Sequence, residues 1–247
     1  MTRFLEITRN LIFPPRCAGC QTLLSPTQTK KKAVFCTECE KQWHTELCLQ
    51  CPTCFAAYPD CRCQSKSLER AGSKGLLKLA PYGDAARERV MRHIVLRLKK
   101  HPRRRVLSLL AAELTPLLSA ELDKLGWSKE NVVIVHLPRD TRSVRRYGED
   151  QAKAIALALS REVGIAHQPL LYRRKHAKQQ KSLNAKERAE NLRAVFVARQ
   201  VPKECHVILV DDVVTTGASL CAAALALREA GVKELLCVAL AQTPKKR

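Results

Sequence analysis

The run His206-Val-Ile-Leu-Val-Asp-Asp-Val-Val-Thr-Thr-Gly-Ala-Ser219 sets four apolar residues, a carboxylate pair and a hydroxyl-bearing glycine turn in direct succession. Val207 to Val210 read as a strand buried on both faces. Asp211 and Asp212 then fall at its carboxyl end, where open α/β sheets place their ligands. Ala218 to Ala230 carry a helical pattern stopped by Gly231, so Thr215-Thr216-Gly217 opens a helix N-terminus with unpaired N–H groups and a positive dipole end. A phosphate suits that position. Thr215, Thr216 and Ser219 add hydroxyl donors, and Gly217 permits close backbone approach. The two carboxylates can accept hydrogen bonds from vicinal ribose hydroxyls one sugar length away. The competing reading is that Asp211 and Asp212 merely cap the following turn.

A second set of chemistry-bearing residues lies near the other end. Nine of the 12 cysteines fall between Cys17 and Cys63, as Cys17-Ala-Gly-Cys20, Cys36-Thr-Glu-Cys39, Cys51-Pro-Thr-Cys54 and Cys61-Arg-Cys63, with Cys48 between. Each CxxC turn presents two thiolates to one ion, and a hairpin over the residues between Cys20 and Cys36 would complete a Zn2+ tetrahedron. Cys51, Cys54, Cys61 and Cys63 read as a second zinc site, although Cys48 could replace a member and cross-braced pairing stays open. Four thiolates leave no open coordination position, so such metals support folding and display, not catalysis. A redox-active CxxC would need a pair that opens a helix after a strand, which neither pair is expected to do. Cys205, Cys221 and Cys237 read as small core residues.

The elements between these sets form an alternating pattern. Val90, Met91, Ile94, Val95 and Leu98 predict a helix from about Asp84 to Lys100, whose other face carries Arg87, Arg89, Arg92, Arg97, Lys99 and Lys100. The basic run continues through Pro102 to Arg103-Arg104-Arg105. It is either a solvated face or a polyanion-binding surface. Leu107 to Leu125 predicts a second helix, Val132 to Leu137 a strand, and Gln151 to Val163 a further helix. The loop after that strand holds Arg139, Arg142, Arg145 and Arg146, guanidinium groups suited to bidentate contact with pyrophosphate. Arg173 to Arg193 is a long polar stretch, including Lys178, Gln180, Ser182, Arg188 and Asn191, that reads as a loop closing over a bound phosphosugar. Ser67, Gly72, Ser73 and Gly75 weaken any regular pattern. The expected division is therefore a double zinc ribbon over 1–66, a linker over 67–78 and an α/β domain with a central, mostly parallel sheet over 79–247.

Lys and Arg outnumber Asp and Glu 44 to 23, giving a formal charge of +21 across 247 residues, so polyanions are natural partners. Charge alone does not choose between nucleic acid and a pyrophosphorylated sugar. The stretch Met1 to Arg16 holds apolar Phe4, Leu5, Ile7, Leu11, Ile12 and Phe13 but is interrupted by Arg3, Glu6 and Arg9, so neither a signal peptide nor a membrane span is expected. Cytoplasmic residence is the corresponding expectation, and it favours metal over a disulfide framework.

From Val207 to Ser219 the chain resembles the signature of type I phosphoribosyltransferases, which bind 5-phosphoribosyl-1-pyrophosphate (PRPP) through an apolar strand, two acids and a Thr-Thr-Gly loop. Over nearly its full length it is similar to the ComF family, a double zinc ribbon joined to such a domain. The likeness lies in Pro14 to Cys20, Tyr82 before the basic helix, Arg145-Arg146-Tyr147-Gly148 to Gln151, and the pattern Gln180, Ser182, Arg188, Asn191, Phe196. Where the family commonly shows Arg-Gly-Phe-Asn-Gln, this chain has Arg146-Tyr147-Gly148-Glu149-Asp150-Gln151. The resemblance implies a Rossmann-like phosphoribosyltransferase fold, PRPP held by Asp211 to Ser219 (Val213, Val214 and Ala218 included), Mg2+ with PRPP, and cytoplasmic handling of single-stranded DNA in competence beside a helicase-like partner. Turnover with a nucleobase or amine acceptor is the enzymatic alternative, and a zinc-ribbon adaptor without ligand chemistry is a third.

Overall fold

The computed structural model describes residues 14–83, 89–139, 150–174, 195–201 and 204–244. Among these, a four-stranded parallel sheet has the order β1 (Ser73–Leu77), β8 (Leu235–Val238), β6 (His206–Val210), β3 (Val132–His136). β6 is an inner strand, paired residue by residue with β3 from His206 beside Val132 to Val210 beside His136, and with β8 on its other edge. Parallel strands buried on both faces read as unbroken apolar runs. That is the Val-Ile-Leu-Val pattern of β6, whose alternate side chains enter different cores. Ile208 and Val210 join one, while Val207 and Leu209 join the other.

Helices cover both faces. On the first lie α4 (Arg89–Leu98), α5 (Arg104–Leu125) and α6 (Gln151–Val163), which contribute Ile94, Leu98, Leu114, Leu118, Ile155 and Leu159 to the first core. On the second lie α3 (Lys66–Arg70) and α7 (Ala218–Glu229), with the antiparallel pair β4 (Leu171–Arg173) and β5 (Phe196–Ala198). Gly126 and Gly164 end α5 and α6 in the left-handed conformation that glycine adopts without strain. Fully burying each Leu or Ile of these faces stabilises the fold by about 1.5–3 kcal/mol.

Past their carboxyl ends, β1, β6 and β8 bend and pair again as β2 (Ala80–Pro81), β7 (Val213–Val214) and β9 (Ala241–Gln242), in the order β2-β9-β7. The bend in β6 falls at Asp211 and Asp212. Their backbones stay paired there, with Asp211 N–H donating to the Val238 carbonyl and Leu240 N–H to that of Asp212. This interruption places two carboxylates at an otherwise saturated strand end.

The expected linker is corrected by this topology. Residues 67–78 hold most of α3 and the strand β1, which is hydrogen-bonded into the main sheet beside β8. Ser73 and Gly75 obscured the strand, and its pairing with a segment far away in sequence leaves no local signature. The expected hairpin between Cys20 and Cys36 is likewise replaced by a short helix, α1 (Pro26–Lys30), closed by a Ser25 and Gln28 capping box. It leads to α2 (Thr37–Leu47), the only helix of the head longer than one turn and a half among the described residues.

The head is tied to the larger body by buried polar contacts. Glu46 of α2 is fully buried, and its two carboxylate oxygens each accept at 2.8 Å from Val90 and Met91 N–H in the first turn of α4. A carboxylate at a helix N-terminus satisfies orphan donors and complements the dipole. Burial nonetheless holds the Glu46 carboxyl above its usual range, against those N–H bonds. Trp43 Nε1 donates to Glu113 of α5, and Arg62 pairs with Glu121 of α5 at 2.7 Å. Arg97 donates to the Ala18 and Gly19 carbonyls. Glu46→Ala would leave two buried N–H groups unpaired, each costing about 1–3 kcal/mol, so we expect urea denaturation to show a loss of that order.

Candidate functional site

The carboxyl ends of β3 and β6 bring together residues that the sequence reading assigned to opposite sides of one ligand. Arg139, two residues past Leu137, lies with its Nη2 at 3.8 Å from Asp212 Oδ2. Its Nη1 is buried without a hydrogen-bond partner among the described residues. Its backbone N–H donates to Asp150 Oδ2 at 3.1 Å, and the other oxygen of Asp150 caps α6 through Lys153 N–H. Asp150 therefore pins the strand-end turn to a helix start. An orphaned guanidinium donor beside an acid pair is an anion-binding feature, because the unmet N–H is costly until a ligand accepts from it.

Asp211 Oδ1 accepts from Asp212 N–H and Asp212 Oδ1 from Val213 N–H, both at 2.8 Å. Burial, reinforced by the neighbouring Asp212 carboxylate, pushes the Asp211 carboxyl well above its usual range. A donor that binds the Asp211 carboxyl would offset that burial cost. Val213 and Val214 turn their side chains towards the two cores, leaving only backbone for a ligand. Thr215, Thr216 and Ser219 are exposed, while Ala218 is partly covered.

Gly217 begins α7 at φ 78°, a left-handed conformation that favours glycine, and no side chain caps the helix. The twelve-residue helix therefore presents its first N–H groups uncapped. Ala218 N–H has only a 3.3 Å contact to Thr216 Oγ1. Beside this turn lies a cavity of about 370 Å³ lined by Val214, Thr215, Thr216, Gly217 and Thr243, with Ser65 from the head. Arg145 and Arg146, assigned to pyrophosphate, lie outside the described residues, as do Lys178, Gln180, Ser182, Arg188 and Asn191 of the expected closing loop.

Two histidines that the sequence reading passed over stand behind this site. His136, the last residue of β3, has its Nδ1 at 2.9 Å from His167 Nε2. Burial, with a smaller opposing pull from Asp150, drops His136 to about 4, and burial lowers His167 as well, which favours neutral rings sharing one hydrogen bond. A histidine closing an apolar strand was the available signal.

The head supplies two sets of four thiols. The sulfur atoms of Cys17, Cys20, Cys36 and Cys39 all lie within 4.8 Å of one another, and so do those of Cys51, Cys54, Cys61 and Cys63. Zinc–sulfur bonds of about 2.3 Å in a tetrahedron separate the sulfurs by about 3.8 Å. Cys20 and Cys36 Sγ are 3.7 Å apart, and Cys36 N–H and Cys63 N–H donate to Cys17 and Cys61 Sγ, as ligating thiolates require. Both sets fit a structural zinc ion, paired sequentially and without Cys48. Cys36 opens a helix, standing at the N-cap of α2 with Cys39 in its first turn, but a turn and not a strand leads into it, so the strand-then-helix setting of a redox pair does not arise there. Its thiol belongs to a closed set, so the helix start serves metal binding. Cys205 and Cys237 are buried core residues, and Cys221 is partly buried.

Lys78 was hidden in the expected linker. Its side chain is fully buried, with Nζ donating to the Cys63 carbonyl at 2.8 Å and the Leu76 carbonyl at 3.2 Å. The ammonium also lowers the ionisation cost of the Cys61 thiol, which burial raises overall. A buried cation beside four thiols fits a metal-thiolate centre carrying net negative charge.

We expect Cys36→Ser to remove one zinc equivalent, because it deletes a member of a closed four-thiolate set; full metal content by atomic absorption would contradict that set. Asp211→Asn is expected to stabilise the unliganded protein at pH 7.5. With its carboxyl raised in the fold, Asp211 destabilises the native state as pH climbs past the unfolded value, and the amide has no charge to bury. The expected rise in melting temperature is about 2–4 °C, the shift roughly 1 kcal/mol produces in a chain of this size. An unchanged or lower value at both pH 4 and pH 7.5 would contradict the strained pair.

Comparison with known proteins agrees with this geometry. Residues 146–247 match the phosphoribosyl transferase domain family. Over 101 residues the chain is 37% identical to competence protein F of Haemophilus influenzae, an alignment taking in 39% of this chain and 44% of that protein. The chain therefore spans less than half the length of this relative. No helix among the described residues is long and apolar enough to cross a membrane. The chain thus joins a head with two four-cysteine clusters to a parallel-sheet body whose latter part is similar to the phosphoribosyl transferase domain family and to part of competence protein F.

Proposed function

We propose that this ComF-like protein binds PRPP with magnesium and acts in the cytoplasm on single-stranded DNA taken up during natural transformation. The observation that carries the ligand is the uncapped N-terminus of α7 standing directly after the acid pair at the bend of β6. The 5-phosphate would accept from N–H groups of Thr215 to Ser219, with the Thr215, Thr216 and Ser219 hydroxyls in support. The ribose hydroxyls would donate to Asp211 and Asp212. The unpartnered Nη1 of Arg139 suits the diphosphate side. Magnesium, when bound, neutralises diphosphate charge, and the same carboxylates are its natural protein ligands.

The nucleic-acid part rests on the formal charge of +21, on exposed Arg103, Arg104 and Arg105 at the start of α5, and on the printed name of the relative. Not all of the basic helix is free for it, since Arg97 is committed to head carbonyls. A helicase-like competence partner belongs to the same reading. Turnover is the enzymatic version, in which a nucleobase or amine attacks the anomeric carbon as pyrophosphate leaves. Pyrophosphate release with one such acceptor would establish it.

Calorimetric titration of the zinc-loaded protein with PRPP and magnesium should show micromolar binding that Asp211→Asn with Asp212→Asn abolishes. Unchanged affinity in that double variant would refute the site. Replacing Arg103, Arg104 and Arg105 by Ala should weaken single-strand binding and flatten its salt slope by up to about 2, at roughly 0.7 per phosphate contact. An unchanged slope would return the run to a solvated face.

A further inference from the structure

Ser65 stands two residues beyond Cys63, the last thiol of the second cluster, yet it lines the same cavity as Thr215, Thr216 and Gly217. The approach is close, since a methyl group built on Gly217 would meet Ser65 Oγ at 3.2 Å. Gly217 is thus small for two reasons, its backbone conformation and the head residue packed against it. Ser65 Oγ accepts from Leu68 N–H at 3.2 Å, capping α3, and lies 3.0 Å from Ser67 Oγ. As a hydroxyl it keeps one proton to donate, to Ser67 or to an oxygen in the cavity.

The segment carrying Ser65 is held from both sides. Cys63 N–H donates to Cys61 Sγ at 3.3 Å within the cluster, and the Cys63 carbonyl accepts from buried Lys78, which directly follows β1. Farther along, Cys221 Sγ of α7 donates to the Ser67 carbonyl at 3.4 Å, so α3 leans on the helix whose N-terminus faces the cavity. Among the described residues, little apolar support lies beneath the second cluster, a core of Cys51, Tyr58 and Cys61 with Leu49 packed against it. Four thiols and a metal must therefore fix the course of the chain from Cys61 to Ser65.

We propose that Ser65 is a ligand-contacting residue of the phosphate cradle, supplied by the cysteine-rich head, and that metal in the Cys51, Cys54, Cys61 and Cys63 cluster positions it, so phosphosugar affinity depends on that cluster being filled. This deepens the PRPP reading above and rests on it. A purely structural Ser65 would only cap α3. Asp caps a helix start as well as Ser does, so Ser65→Asp keeps that role while placing a negative charge against the bound phosphate.

The test is calorimetry with PRPP and magnesium on the full chain, with zinc content and melting temperature measured for every variant. Ser65→Asp should retain two zinc equivalents and the wild-type melting temperature but bind at least about tenfold more weakly, and Ser65→Ala should lose a few-fold. Cys63→Ser should lose one zinc equivalent and bind at least about tenfold more weakly. Wild-type affinity in Ser65→Asp overturns the contact, even if Cys63→Ser fails to fold. Wild-type affinity in a folded Cys63→Ser protein that has lost its zinc overturns the metal dependence. An absence of binding by the wild type removes the PRPP reading and this proposal together, a result distinct from either.

Discussion

Among the described residues the head of this protein buries little apolar surface of its own, and the rest of the architecture follows from how its parts are held instead. Its second cluster sits over a core of Cys51, Tyr58 and Cys61, and its first shares Phe35 and Trp43 with the main body. Two sets of four thiols supply part of the missing stabilisation, and buried polar ties to the α/β body supply more. Glu46 satisfies the first turn of α4, Arg62 pairs with Glu121 of α5, and Lys78 places a buried ammonium between β1 and the second cluster. Such groups are unfavourable alone and stable only in company, so the head and the sheet specify each other's position.

The ligand end of the molecule is governed by a second consequence of burial. β6 is an inner strand with both faces covered, so polar side chains can first emerge where it bends, at Asp211 and Asp212. The bend carries an acid pair in which burial and the neighbouring Asp212 raise the Asp211 carboxyl, one guanidinium donor without a partner among the described residues, and a helix start without a side-chain cap. Under the proposed function, a phosphosugar would supply donors to the acids and acceptors to the rest. Strain gathered at one strand end is what a preorganised binding site is expected to show.

Much of this was legible in the sequence because the relevant patterns are local. The apolar tetrad of β6, the helix after Gly217 and the two sets of cysteines announce themselves within spans of a few residues. What escaped depends on pairing across the chain. β1 is short and carries Ser73 and Gly75, and only its alignment with Leu235 to Val238 makes it a strand of the central sheet. Lys78 sits in an apolar run as an apparent surface charge, and nothing nearby reveals that it faces a thiol cluster. Arg97 read as part of a basic face, whereas two backbone carbonyls of the head hold it. Composition counts charges but does not show which are already committed.

The central claim is that the loop after β6 is a phosphosugar site set in a body braced by the metal-bearing head. A crystal structure of the zinc-loaded protein with PRPP and magnesium tests it most directly. The account requires density for the 5-phosphate at the Thr215 to Ser219 N–H groups and for the ribose hydroxyls against Asp211 and Asp212. Density for the ligand at the Arg97 to Arg103 surface instead, with the α7 turn left empty, would contradict it.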